Sequence, residues 1–191
     1  MDKAELLVEA MKLLVQMGLT NPKGGNASVK ISGNEILITP SGYPKHLLRP
    51  KDLVVYNIDT GEYLGVHKPS IEVNAHRLIY LNRKDVNAII HAHTPLTIAL
   101  VDAGIDKWWE TGTVESSYSL GRVSIASEAP PGSLELAKNI ADKARDSKIV
   151  IVPRHGVFAL GKDVEDALDA IIALEATAKY FLVKAIINKL F

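Results

Sequence analysis

The 191-residue chain contains no cysteine, which excludes disulfides and thiolate ligands and leaves His, Asp or Glu to hold any metal. That absence suits any compartment and favours the cytoplasm only weakly. Charge of one sign is not in excess either: 22 Lys and Arg balance 22 Asp and Glu, for a formal net charge of zero. A chain that wraps nucleic acid normally carries a basic excess, because phosphate contacts dominate that affinity, and no basic cluster here offsets the neutral total. Long apolar runs are missing as well. A membrane span needs roughly 20 apolar residues and a signal peptide an uninterrupted apolar stretch. The opening MDKAELLVEAMKLLVQMG is broken by Asp2, Lys3, Glu5, Glu9 and Lys12. The expectation is a soluble cytoplasmic protein with neither a membrane nor a nucleic-acid partner.

What is present is a globular composition, 47% hydrophobic and 23% charged, with enough length to bury a sizeable core. No linker, repeat or low-complexity segment divides it, so one α/β domain over residues 1–191 is expected. Leu6, Leu7, Ala10, Leu13, Leu14 and Met17 recur at helical spacing and predict an amphipathic helix over residues 2–17, closed by Gly18. A Gly-rich turn, GGNASVK, leads into SVKIS and EILITPSG, a hairpin with its turn at Gly33–Asn34. DLVVYNIDTGEYLG repeats that pattern. Helical period returns over residues 70–82, NAIIHAH reads as an apolar strand, and Pro95 opens a short helix. Residues 104–132 read as turn-rich and mixed, with Trp108 and Trp109 exposed. Ser133 caps a helix to Lys143; the strands IVIVP and VFAL follow; Asp163 caps a last helix running nearly to Phe191. The apolar run Ile171 to Leu174 implies that this helix packs on more than one side.

Chemistry concentrates in the histidines, at 46, 67, 76, 91, 93 and 155. Alternate side chains of a strand share a face, so His91 and His93 lie side by side where one cation meets both. His155 follows the apolar strand IVIV and precedes a glycine. Three histidines with an open fourth position make a catalytic zinc site. A lone His-x-His is more often an ordinary pair, and His155 read alone could be a turn residue; it is the coincidence at two strand ends that points to a metal. His46, His67 and His76 have no comparable partners and read as structural or solvated. Glu72, at the start of the helix in PSIEVNAHRL, has a role only if the fold brings it to the histidines, since acidic residues suit a first helical turn for dipole reasons alone. GGNASVK and ITPSG could cradle phosphate through backbone N–H groups and hydroxyls, but each alone is a weak signal.

Taken in order, GGNASVK, ITPSG, PSIE, IIHAHTP and PRHGVFALG resemble the class II aldolase family, which includes fuculose-1-phosphate aldolase and ribulose-5-phosphate 4-epimerase. The matching segments span residues 24–161. The resemblance implies a largely antiparallel central sheet flanked by helices on both sides, and a cyclic homotetramer with active sites between subunits. It implies that His91, His93 and His155 ligate Zn2+ (Mn2+ or Co2+ being alternatives), with Glu72 as the acid/base and a fourth ligand of the resting metal. It further implies that Gly25, Asn26, Ser41, Gly42 and Ser70 line a pocket for a substrate phosphate. The reaction implied is reversible cleavage of a sugar phosphate to dihydroxyacetone phosphate and an aldehyde through a metal-stabilised enediolate.

Two positions depart from the family pattern. Ser70-Ile71-Glu72 stands where aldolases of the family read Ser-Ser-Glu. Glu128 stands before APPGS where many members have a tyrosine, and Tyr118 is ten residues too early to replace it. A carboxylate at the mouth of a phosphate pocket would repel an anion. Some members also carry a C-terminal tail over the site, whereas this sequence stops at its last helix. These differences keep a decarboxylase, dehydratase or epimerase on the same metal scaffold as the alternative reading. A non-catalytic domain, as in cytoskeletal relatives, fits less well because all three histidines and Glu72 persist. A metal-storage role is weaker still. The apolar final helix and the Trp108–Trp109 region suit a subunit contact.

Overall fold

The first helix forms where the sequence supplies both a buried face and a cap. In the computed structural model, which describes residues 1–191, α1 spans Lys3–Gln16 and buries Leu7, Val8, Ala10, Met11 and Leu14. Asp2 Oδ1 accepts from the Glu5 N–H at 2.8 Å while Glu5 Oε2 accepts from the Asp2 N–H at 3.0 Å, a reciprocal capping box.

The strands follow the expected alternations: β1 (Asn26–Ser32), β2 (Glu35–Ile38), β3 (Val54–Asn57) and the short β4 (Tyr63–Leu64) form an antiparallel meander. Helix α2 (Val73–Asn82) precedes β5 (Ala88–Ala92), and α3 (Pro95–Asp102) starts on the proline at its first position. Then come α4 (Val114–Ser119), β6 (Val123–Ile125), α5 (Leu134–Ala144), β7 (Ile149–Val152), β8 (Gly156–Gly161) and the long α6 (Val164–Leu190). All eight strands join one sheet in the order β4-β3-β2-β1-β5-β8-β7-β6, antiparallel except for the β6–β7 pair.

Alternate strand residues go to two separate apolar clusters, as a pleat requires. Ala27, Val29, Ala88, Ile90, Ala92, Ile149 and Ile151 pack with side chains of α1, α3 and α6. Ile36, Ile38, Ile89, Val150, Val152, Phe158 and Leu160 pack with α2 and α5. Ile171 and Leu174 are fully buried, with Ile172 and Ala173 half-buried, so this stretch of α6 does pack on more than one side.

Three expectations need correction. Residues 104–132 are more ordered than their composition suggests, holding a 3-10 turn at Trp108–Thr111, α4 and the edge strand β6. Trp108 is not exposed but buried in the cluster with α6, and Trp109 is half-buried against it at a centroid distance of 5.4 Å. Helix α2 begins at Val73 rather than at residue 70, which leaves Glu72 as its N-cap with no side-chain capping bond. The Glu72 carboxylate is therefore free of the dipole role its position suggested.

Candidate active site and metal centre

Strand pairing assembles the site. Asn26 of β1 lies opposite His91 of β5, and His91 opposite Phe158 of β8. His93 sits just beyond β5, where its N–H donates to the Leu19 carbonyl at 2.9 Å. His155 lies in the turn joining β7 to β8, whose backbone depends on Arg154 at φ 54°. That left-handed conformation is costly for a side-chain-bearing residue, and two contacts hold it. The Arg154 N–H donates to Asp102 Oδ1 at 3.0 Å, and its guanidinium pairs with Glu128. Glu128 is thus engaged by Arg154 and does not line the cavity described below, which removes the expected repulsion at the phosphate pocket.

The three imidazoles converge. Their potential ligand nitrogens all lie within 4.8 Å of one another, and the Nε2 atoms of His91 and His93 are 3.1 Å apart. His91 Nδ1–H donates to the Val157 carbonyl at 3.0 Å, which leaves Nε2 as the unprotonated atom facing the cluster. Phe158 stacks on the same ring at 4.1 Å. Burial pushes all three histidines below the ordinary value; for His91, the neighbouring His93 and His155 add to it. Neutral imidazoles are the form a metal takes.

Glu72 reaches the same point from the start of α2. Its Oε2 lies 3.2 Å from His91 Nε2 and its Oε1 3.3 Å from His155 Nε2. Oε1 is buried yet has no hydrogen-bond partner within the chain. An orphaned buried carboxylate oxygen among three neutral imidazoles, one of them with its unprotonated Nε2 turned inward, is costly as it stands and suits a divalent cation, so the residues present fit the metal.

Close packing explains two of the glycines. A Cβ on Gly25, whose φ is 62°, would come within 2.6 Å of the His91 carbonyl oxygen. A Cβ on Gly156 would sit 2.8 Å from His91 Cε1 and 3.0 Å from His93 Cδ2. The backbone carbonyl of Ala92 would be closer still, so the glycine after His155 is required by the β5 backbone and the histidine rings together.

Above the cluster is a cavity of about 390 Å³. Every residue expected to line a substrate pocket lines it: Gly25, Asn26, Ser41, Gly42 and Ser70, together with Glu72, His93 and His155. An isolated bridge between Pro40 and Pro69 brings ITPSG beside PSIE. Ile71, the departure from the family pattern, is exposed at the cavity wall. The Asn26 side chain is committed differently from expectation, donating Nδ2–H to Glu72 Oε2 at 2.7 Å and accepting at Oδ1 from His76 at 2.6 Å.

Two residues escaped sequence reasoning. Lys45 lines the cavity with only 1% of its surface exposed, its Nζ donating to the Tyr43 carbonyl at 3.0 Å, and burial lowers its pKa to about 8. A lysine in YPKHLL carries no sequence signal of burial. His76, set aside as structural or solvated, is fully buried and bonded to Asn26. The i, i+4 spacing from Glu72 was the available clue.

Residues 5–182 match the family described as the class II aldolase and adducin N-terminal domain. An L-fuculose phosphate aldolase of Methanocaldococcus jannaschii is 35% identical over 189 residues, covering 99% of this chain and 100% of that protein. A 3-oxo-tetronate 4-phosphate decarboxylase of Haemophilus influenzae is 32% identical over 182 residues, covering 93% and 85%. Among solved structures, an L-fuculose 1-phosphate aldolase superposes with a TM-score of 0.84 at 29% identity, covering 96% of this chain and 86% of that one.

Proposed function

The chain belongs to the class II aldolase and adducin N-terminal domain family, and on that premise we propose that it is a zinc-dependent aldolase cleaving a sugar phosphate of the fuculose 1-phosphate kind. The observation that carries this reading is the unpartnered Oε1 of Glu72, buried among three neutral histidines at the floor of a cavity. His91, His93 and His155 would hold the cation, with Glu72 completing its resting coordination. When bound, it supplies positive charge that draws electron density from a substrate carbonyl. In the cleavage direction the Glu72 carboxylate, the one acid lining the cavity, takes the proton of the hydroxyl beside the breaking bond, the C–C electron pair passes toward the carbonyl, and an aldehyde departs. Glu72 then delivers a proton to the carbon left behind, yielding dihydroxyacetone phosphate.

The cavity chemistry supports an anionic substrate. Lys45 and Lys23 are the cations among its lining residues, against Glu72 alone as an acid, and the Ser41 and Ser70 hydroxyls with the Gly25 and Gly42 backbone add neutral donors. We assign the substrate phosphate to Lys45 with Gly25, Ser41, Gly42 and Ser70, and Asn26 chiefly to Glu72. The same reading takes residues 1–191 as one domain, with helices on both faces of the sheet and a cytoplasmic setting; no helix is long and apolar enough to cross a membrane. A cyclic homotetramer belongs to it too, supported by the exposed apolar Leu182, Val183, Ile186, Ile187, Leu190 and Phe191 at the chain's end.

The test is release of dihydroxyacetone phosphate from fuculose 1-phosphate by zinc-loaded protein, with chelator-treated protein as control. Chelator-sensitive release is the expected result. Zinc bound without release would turn the reading to its alternative, which the resemblance to the Haemophilus influenzae decarboxylase favours: loss of carbon dioxide from a phosphorylated 3-oxo acid leaves electrons on the same carbon and asks the same proton of Glu72.

A further inference from the structure

Behind Glu72 runs a closed line of buried polar side chains built from two periodicities. Asn26 and Ser28 alternate on one face of β1, while Glu72, His76 and Tyr80 recur every fourth residue along α2. The contacts between them are short: Glu72 Oε2 to Asn26 Nδ2 2.7 Å, Asn26 Oδ1 to His76 Nε2 2.6 Å, His76 Nδ1 to Ser28 Oγ 2.7 Å, and Ser28 Oγ to Tyr80 Oη 2.9 Å. All five residues are buried.

The direction of every proton in this line follows from its end. The Glu72 oxygen accepts, so Asn26 must present its amino group there and its carbonyl to His76. His76 must then carry its proton on Nε2, which makes Nδ1 an acceptor for the Ser28 hydroxyl, and Tyr80 donates to Ser28. Burial lowers His76 to about 3, with His91 adding to the effect, so the ring stays neutral and holds this one tautomer at ordinary pH. Burial likewise pushes the Tyr80 hydroxyl above its usual value and keeps it a donor.

We infer that His76 is a positioning residue for the reaction: through Asn26 it locks the carboxylate of Glu72 into the orientation that faces His91 and His155. Without the His76 N–H the Asn26 amide is free to turn over and offer Glu72 a carbonyl oxygen, which repels it. This rests on the reading of Glu72 as the proton-moving group, so the experiment has an arm that needs no turnover.

In zinc-loaded protein with 15N-labelled histidine, His76 should show a protonated Nε2 and an unprotonated Nδ1, and Glu72→Gln should shift the Nε2–H resonance. The opposite tautomer, or no response to Glu72→Gln, overturns the inference whatever the substrate. In the turnover arm, His76→Leu should lower kcat about 10–100-fold with KM little changed, while His76→Gln, which keeps a donor near the Nε2 position, should recover most of it. A purely packing role predicts Leu equal to or better than Gln, and that result would also overturn it. Should His76→Leu fail to fold, Ser28→Ala removes the donor to Nδ1 and should lower kcat in the same direction; full activity there counts against the line. A normal spectrum with no aldol cleavage leaves the line standing and sinks the substrate reading instead.

Discussion

His91 and His76 are both fully buried histidines on either side of Asn26 and Glu72, yet their surroundings differ in kind. Each ring nitrogen of His76 has a protein partner, at 2.6 and 2.7 Å. His91 Nδ1 donates to the Val157 carbonyl, but its Nε2 is crowded by His93 Nε2 at 3.1 Å and Glu72 Oε2 at 3.2 Å, and that carboxylate's other oxygen has no partner. A buried polar group left without a partner costs about 1–3 kcal/mol, so it persists only where something else answers it. A satisfied cluster is scaffold; an unsatisfied one at a cavity floor is where a ligand goes.

The largest effect should come from breaking the unsatisfied side. His91→Ala or His155→Ala removes an imidazole facing the proposed metal, and zinc affinity should fall by more than the roughly 10–100-fold typical of supporting residues. Zinc titration against a chromophoric chelator measures this, with circular dichroism showing the fold retained. Undiminished zinc affinity in either variant would dissolve the metal reading. Glu72→Gln comes next: zinc stays bound, while kcat drops about 10²–10⁴-fold as a general acid/base is lost. Unchanged turnover would remove Glu72 from the chemistry.

Lys45 lies between the two cases, a buried cation with a single backbone acceptor. Lys45→Met should raise KM for a phosphorylated substrate about 10–100-fold, the worth of a charge-assisted hydrogen bond. With the folded pKa at about 8, inorganic phosphate affinity should decline as pH climbs through that value. Folding carries the opposite slope. An unfolded lysine near 10.5 still holds its proton where the folded one has lost it, so the Lys45 contribution to stability rises between about pH 8 and 10.5 and is level on either side of that window. Urea melts across that window should show the slope in wild type and lose it in Lys45→Met; a flat wild-type profile would mean that Lys45 is not buried as a cation.

What was legible in the sequence follows the same division. His91 and His93 could be read because strand alternation is local, and His155 because it ends an apolar strand. The ring partners of His76 are 48 and 50 residues away in sequence, and the i, i+4 spacing from Glu72, the one local clue, points to neither of them. Strand β6 was hidden by its three residues and its edge position, where little apolar patterning is needed. Trp108 was misjudged because its neighbours Asp106, Lys107 and Glu110 are exposed and polar, while its burial depends on α6, more than 50 residues later. Periodicity reports what an element does to its own faces. It does not report which distant element arrives.

The smallest expected effect is the sharpest test of how Lys45 and the family pattern relate. Ile71 replaces the second serine of Ser-Ser-Glu and stands exposed at the cavity wall, packed on Gly132. If Lys45 already neutralises the substrate phosphate, a restored hydroxyl adds only a neutral hydrogen bond of about 0.5–1.5 kcal/mol, and Ile71→Ser should lower KM by about two- to tenfold. In Lys45→Met the phosphate lacks its cation and the same hydroxyl has more to offset, so the gain should be larger there. A double-mutant cycle on KM measures the difference, because two groups sharing one ligand oxygen set are not additive. Equal gains in both backgrounds would mean that Lys45 and residue 71 do not share the phosphate, and the buried lysine would then need another ligand.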